Sequence, residues 1–179
     1  FIVGNGRHVV TNYHVIVGAT EVEVRFADKK KVVIKNCIFT DSSRDLAVLE
    51  LPSSEKRKPL KLAAALPAVG DDVFSLVAPH GLSFTLAPGI VSALRGDEKR
   101  DWMIQTNAPI SSGSSGGPLI NAFGEVVGVN TLSVRAEGGI SQNLNFAVGS
   151  PEVTDLLSGS KKRVSLNRLP EAKLISMMK

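Results

Sequence analysis

Three residues of this chain have the types and order that nucleophilic acyl chemistry needs. His14 lies in Thr11-Asn12-Tyr13-His14, Asp45 heads Asp45-Leu46-Ala47-Val48-Leu49, and Ser115 sits in Gly113-Ser114-Ser115-Gly116-Gly117-Pro118. A serine hydroxyl is a weak nucleophile at neutral pH. Hydrolysis through it requires an imidazole to take its proton and a carboxylate to hold that imidazole in one tautomer. Glycines beside Ser115 allow backbone amides to turn toward a developing oxyanion. Taken singly, each residue has a plainer explanation: a structural histidine, a turn aspartate after Ser42-Ser43-Arg44, a Gly/Ser-rich linker. Apolar stretches ending at Ile110 and resuming at Leu119 argue against a free linker, and the apolar run after Asp45 would bury that acid.

The order of the three discriminates among folds. Gly113-Ser114-Ser115-Gly116-Gly117 also fits the G-x-S-x-G elbow of α/β-hydrolases, but that fold places its histidine after the serine. Here His8, His14 and His80 all precede Ser115. The order Asp, His, Ser is available on paper through Asp45, His80 and Ser115. It requires a doubly wound sheet with helical stretches between strands, and nothing between Val22 and Val148 has helical periodicity. His14, Asp45, Ser115 remains.

The elements that must position these groups read as short strands. Phe1 to Val3, Val9 to Thr11, Val22 to Phe26, Lys31 to Phe39 and Leu46 to Leu51 are β-rich, with Gly4-Asn5-Gly6 as a hairpin signal and Ala27-Asp28-Lys29 as a second turn. Pro52 to Pro67 lacks β-branched residues and reads as a linker between two halves. Strands resume at Asp72 to Val77, Leu82 to Leu86, Gly89 to Leu94, Trp102 to Gln105, Pro118 to Ile120, Val126 to Thr131 and Leu144 to Val148. Two sets of about six strands predict an all-β protein of two small barrels. A short helix is expected over 151–158, with Ser150 as N-cap, Pro151 in the first turn and Gly159 beyond its end.

Composition narrows the class. At 179 residues, 43% hydrophobic and 21% charged, the chain suits one compact unit, and no apolar run approaches the ~20 residues of a membrane span. The net charge of +4 comes from Lys29-Lys30-Lys31, Lys56-Arg57-Lys58 and Lys161-Lys162-Arg163, which read as solvated turns and tails. A nucleic-acid surface would interleave such charge with aromatics for stacking, and aromatics are only 5% here. Cys37 is the only cysteine and reads as a buried small hydrophobe, so no intrachain disulfide forms. His8 and His80 have no ligand pattern around them, and no zinc site is expected. The chain begins at Phe1 rather than methionine, which reads as an internal fragment whose leader, anchor or partner domains lie outside it.

At these residues the chain resembles the chymotrypsin-like serine proteases, and among them the HtrA/Deg group. Val10-Thr11-Asn12-Tyr13-His14-Val15 is similar to that group's T-N-x-H-V segment, and Asp45-Leu46-Ala47-Val48-Leu49 to its D-L-A-V-L strand. Gly89-Ile90-Val91-Ser92, Gln105-Thr106-Asn107-Ala108-Pro109-Ile110, Gly124 to Thr131 and Asn145-Phe146-Ala147-Val148 match further elements, so the likeness runs from Phe1 to Leu157. It implies two six-stranded antiparallel β-barrels with a short C-terminal helix. In domain terms it implies a protease domain over 1–158, with a first barrel over about 1–62, a second over about 68–149, and a tail or linker over 159–179 that carries some helical periodicity.

The resemblance implies roles as well. His14 is the general base, Asp45 its orienting acid, Ser115 the nucleophile, and Gly113, Ser114 and Ser115 form the oxyanion loop. Ser114 departs from the group's usual asparagine, which leaves a resting loop with weaker hydrogen bonding as an expectation. By position in the motif, Ile110, Leu132, Ser133 and Val134 wall the specificity pocket. No acid is among them, which predicts a small or medium aliphatic side chain on the acyl side of the cut bond. The implied activity is an endopeptidase for unfolded or flexible polypeptides, with no metal and no cofactor. The alternative is a catalytically silent binding or chaperone module on the same fold. Resemblance also implies a homo-oligomer, a trimer, in a periplasmic or otherwise extracytoplasmic compartment.

Overall fold

The computed structural model describes residues 1–77, 85–96, 101–110, 113–133, 144–159 and 164–169. Thirteen strands dominate it. In the first half they are β1 (Ile2–Val3), β2 (His8–Thr11), β3 (Val22–Arg25), β4 (Lys31–Ile34), β5 (Asn36–Asp41) and β6 (Leu46–Glu50). In the second they are β7 (Asp72–Val77), β8 (Thr85–Gly96), β9 (Asp101–Thr106), β10 (Pro118–Asn121), β11 (Val126–Ser133) and β12 (Asn145–Gly149), with β13 (Val164–Ser165) near the end. A one-turn helix α1 (Tyr13–Ile16) follows β2, and helix α2 (Ser150–Ser158) follows β12 without a break. Gly149 occupies the N-cap position of α2; Ser150, expected there, is its first residue and donates its hydroxyl to Ala63 O at 2.8 Å.

The second half closes as expected into a six-stranded antiparallel barrel in the order β10-β11-β12-β9-β8-β7. The first half does not close among the described strands. It forms a five-stranded sheet, β1-β2-β6-β5-β13, and a separate two-stranded hairpin of β3 and β4. The expected single strand over Lys31 to Phe39 is divided at Lys35: β4 pairs with β3, whereas β5 turns to pair with β6 and β13. Conversely, Gly89 to Leu94 is the middle of one long strand, β8; residues 82–84 lie outside the described residues. The segment 164–169, expected as tail or linker, contributes β13 to the first sheet, where Val164 pairs with Cys37.

Alternation explains why β2 and β6 read as almost continuous apolar runs. Successive side chains in a strand point to opposite faces, and here both faces are covered. Val10, Leu46 and Val48 pack with Val129 and Val148 of the barrel and Val153 of α2, a core shared by both halves. Val9, Ala47 and Leu49 face the other way, with Ile16, Ile34, Cys37 and Leu166, while Val22, Val24 and Val32 of the β3–β4 hairpin pack against that cluster. A third cluster, with Val73, Val91, Ile104, Leu119 and Val127, fills the barrel. The stretch read as a linker is tied to both sides: Leu60 N–H donates to Ile2 O at 2.8 Å, and Ala63 N–H to Val126 O at 2.8 Å. Among the described residues no helix is long and apolar enough to cross a membrane.

Leu166 is fully buried beneath the first sheet. Leu166→Ala should therefore cost about 2–5 kcal/mol, read as a lower urea midpoint with an unchanged slope; an unchanged midpoint would show that segment 164–169 does not stabilise the fold.

Candidate active site

His14 is placed by α1. Tyr13 and Ile16 of that turn are buried, which leaves the imidazole outward with its side chain 42% exposed. Asp45 ends the β5–β6 turn in a left-handed conformation, φ 54°, a region that aspartate tolerates better than most residues. Its carbonyl accepts from Tyr13 N–H at 3.1 Å and Asn12 Nδ2 at 3.0 Å. Its carboxylate accepts from His14 N–H at 2.9 Å through Oδ1, and from His14 Nδ1 at 2.7 Å through Oδ2. A carboxylate of this kind only accepts, so the bond puts the ring proton on Nδ1 and leaves Nε2 of the neutral imidazole with its lone pair.

Ser115 comes from the barrel half, on the loop that leads into β10. Gly113 (φ 94°) and Gly116 (φ 80°) supply the left-handed turns of its loop. Gly116 must be glycine on a second count: a Cβ there would lie 2.3 Å from Thr11 Oγ1. The loop is pinned to β11, with Gly116 N–H donating to Asn130 O at 2.9 Å and Asn130 N–H to Gly117 O at 2.9 Å. Ser114 is buried, and its carbonyl accepts from Gly117 N–H at 3.0 Å. Neither the Gly113 nor the Ser115 amide donates to a backbone carbonyl among the described residues.

Thr131 joins this candidate site although sequence reasoning did not single it out. Asn130 pairs with Ala147 and Leu132 with Phe146, so Thr131 is the extra residue of a β-bulge, a device that re-aims a side chain. Its hydroxyl donates to Asp45 Oδ2 at 2.6 Å, and its carbonyl accepts from Ser115 Oγ at 3.0 Å. The available signal was the polar pair Asn130-Thr131 interrupting an apolar strand. Ser115 is thus turned toward Thr131, and no hydrogen bond joins it to His14 among the described residues.

Of the expected pocket walls, Ile110 is buried just before the nucleophile loop. Leu132 and Ser133 lie at the end of β11, paired with Phe146 and Asn145. Val134 and His80 lie outside the described residues. Among the described residues, no three His, Cys, Asp or Glu side chains are grouped to hold a metal ion.

A closed antiparallel barrel docked on a β-sheet, with Asp45 bonded to His14 on one side and to Thr131 on the other, is the frame in which the candidate residues lie. The chain belongs to the trypsin-like peptidase family: the model of the trypsin-like peptidase domain matches residues 1–129. Its relatives are serine endoproteases of the HtrA/Deg type. It is 36% identical over 151 residues to chloroplastic Protease Do-like 1 of Arabidopsis thaliana, covering 79% of this chain and 34% of that protein. It is 35% identical over 156 residues to the periplasmic serine endoprotease DegP of Escherichia coli K12, covering 84% and 32%. Among solved structures, the serine endoprotease of Yersinia pestis superposes with a TM-score of 0.75 at 29% identity, covering 87% of this chain and 54% of that one. An HtrA-type protease, AlgW, solved with a decapeptide, gives 0.72 at 28%, covering 86% and 49%. The chain thus spans about a third of the curated relatives' length.

Burial would raise the Asp45 pKa, but the hydrogen bonds from His14 and Thr131 outweigh it and hold the carboxyl below its usual 3.8. Asp41 shifts the same way: burial opposes, and hydrogen bonds from Ser43 and Arg44 prevail. A folded pKa below the unfolded one contributes stability that is present above the unfolded value and lost as pH falls through the folded value. Unfolding free energy should therefore decline below about pH 4. Asp45→Asn should make that decline shallower; an identical acid dependence in the variant would show that Asp45 is not held in this way.

Proposed function

We propose that this chain is the peptidase domain of a serine endopeptidase that hydrolyses unfolded or flexible polypeptides. Family membership and the endoprotease relatives support the reaction class. The observation that carries the residue assignment is the Asp45 carboxylate held between His14 Nδ1 and Thr131 Oγ1. In this reading His14 takes the Ser115 proton as Ser115 Oγ attacks the scissile carbonyl, and returns it to the leaving amine. Asp45 stabilises the imidazolium formed on the way. The amides of Gly113 and Ser115 receive the oxyanion, with Ser114 as the residue between them. Before attack, Ser115 must rotate from the Thr131 carbonyl toward His14, exchanging one acceptor for another.

The pocket assignment to Ile110, Leu132, Ser133 and Val134 belongs to this proposal and favours aliphatic over basic side chains on the acyl side. The protease domain over 1–158 and trimeric assembly are also proposals. An extracytoplasmic setting rests on relatives named as periplasmic. The Ser115 bond to Thr131 is the one feature that favours the alternative of a silent binding module, because it turns the nucleophile away from its base.

A fluorophosphonate probe should label the wild-type chain and leave Ser115→Ala unlabelled, and casein should be cut by the former alone. Asp45→Asn should lower kcat by about 10⁴, as in the template enzymes. Absence of both labelling and cleavage overturns the peptidase reading in favour of the binding module. On peptide libraries, cleavage after Val, Ala or Leu should exceed cleavage after Lys or Arg by at least about tenfold; the reverse order would remove the pocket assignment.

A further inference from the structure

Arg44 is the residue immediately before Asp45, yet its side chain belongs to a different network. Nε donates to Asp41 Oδ2 at 2.6 Å, and Nη1 donates to Glu152 Oε2 at 2.9 Å and Asp155 Oδ2 at 2.6 Å. Asp41 in turn builds the turn that Asp45 ends: its Oδ1 accepts from Ser43 N–H at 2.9 Å and Arg44 N–H at 3.1 Å. Glu152 and Asp155 lie one turn apart on α2, which continues directly from barrel strand β12. One guanidinium therefore ties the β5–β6 turn of the first sheet to the helix that the barrel extends.

We propose that Arg44 is a positioning residue for the reaction, a clamp that sets Asp45 against the barrel from the α2 side while Thr131 holds it from β11. This inference rests on the peptidase reading above. Burial favours a fixed clamp over a loose surface pair. The Arg44 side chain is 20% exposed and that of Glu152 only 3%, and a buried carboxylate that loses its cation is strongly destabilising. The Glu152 carboxylate would then have to move toward water, carrying α2 with it. Beneath the clamp, Val153 of α2 packs with Leu46 and Val48, the strand that starts at Asp45. The left-handed φ of Asp45 leaves few ways to absorb a shift of its neighbour.

The side-chain chemistry also selects arginine. Its planar fork presents Nε and Nη1 in a fixed relation that meets Asp41 on one edge and the helix carboxylates on another. A lysine supplies one flexible nitrogen and cannot hold both edges at once. Because the guanidinium's hydrogen-bond partners among the described residues are carboxylates of the turn and the helix, removing the clamp should affect the geometry of Asp45 and His14 rather than substrate affinity.

The test compares wild type, Arg44→Met, Arg44→Lys, and Glu152→Gln combined with Asp155→Asn. Two readouts are taken: kcat and KM on a peptide substrate, and the low-field proton resonance of His14 Nδ1–H bonded to Asp45. Arg44→Met should lower kcat by about 10²-fold, the scale of a small misplacement, with KM within about twofold, and should lose or broaden the resonance. Arg44→Lys should fall between Arg44→Met and wild type. The helix double variant should resemble Arg44→Met, and adding Arg44→Met to it should cost little more, as members of one network do. Where Arg44→Met does not fold, Arg44→Lys and Asp155→Asn alone carry the same readouts. Retention of kcat and the resonance, or a loss of kcat that only tracks the folded fraction, overturns the clamp. A resonance present in wild type and lost in Arg44→Met, with neither protein cutting peptide, would sustain the clamp and overturn the peptidase reading instead.

Discussion

The Asp45 carboxylate accepts hydrogen bonds from both halves of the molecule at once. From α1 of the first half come the His14 amide and the His14 ring; from the barrel comes the Thr131 hydroxyl. A carboxylate taken partly out of water must be satisfied on both oxygens or it destabilises the fold. Meeting that requirement fixes where His14 and β11 stand relative to each other. Since β11 also pins the Ser115 loop through Asn130, that loop is held relative to Asp45 through the same strand.

Such a polar joint is held only if the surfaces around it do not slide. The core made by Val10, Leu46 and Val48 from the first sheet with Val129, Val148 and Val153 from the barrel side provides that rigidity. Interiors packed at this density transmit small displacements instead of absorbing them. His14 and Asp45 come from the first half and Ser115 from the loop before β10, so their relative placement depends on how the two halves dock. Arg44, whose side chain among the described residues bonds carboxylates of the turn and of the helix, crosses the same boundary.

In the reaction proposed above, the bond from Ser115 Oγ to the Thr131 carbonyl is the resting state of the nucleophile. Net hydrogen-bond strengths in proteins are about 0.5–1.5 kcal/mol, and the hydroxyl gives up one acceptor as it gains another. The rotation toward His14 is therefore a small term beside the several kcal/mol that oriented acid–base and oxyanion groups contribute. Ser114 is buried and has its carbonyl in the loop's own hydrogen bonds.

What the sequence determined by itself was whatever depends on local chemistry and periodicity. The order of His14, Asp45 and Ser115 excluded folds that place histidine after serine. Alternating apolar residues located most strands, and glycines at 113 and 116 announced a loop that only glycine can turn. Tertiary structure decided the rest, because contacts between distant segments leave no local pattern. Whether Lys31 to Phe39 was one strand or two depended on which partners its edges met. That Val164-Ser165 completes the first sheet could not be read from two residues. Thr131 became part of the site through a bulge, a one-residue mismatch between β11 and β12 that exists only once they pair. Arg44 looked like one more charge in a turn until folding brought Glu152 and Asp155 beside it, since burial gives such a pair its weight and burial belongs to the whole fold.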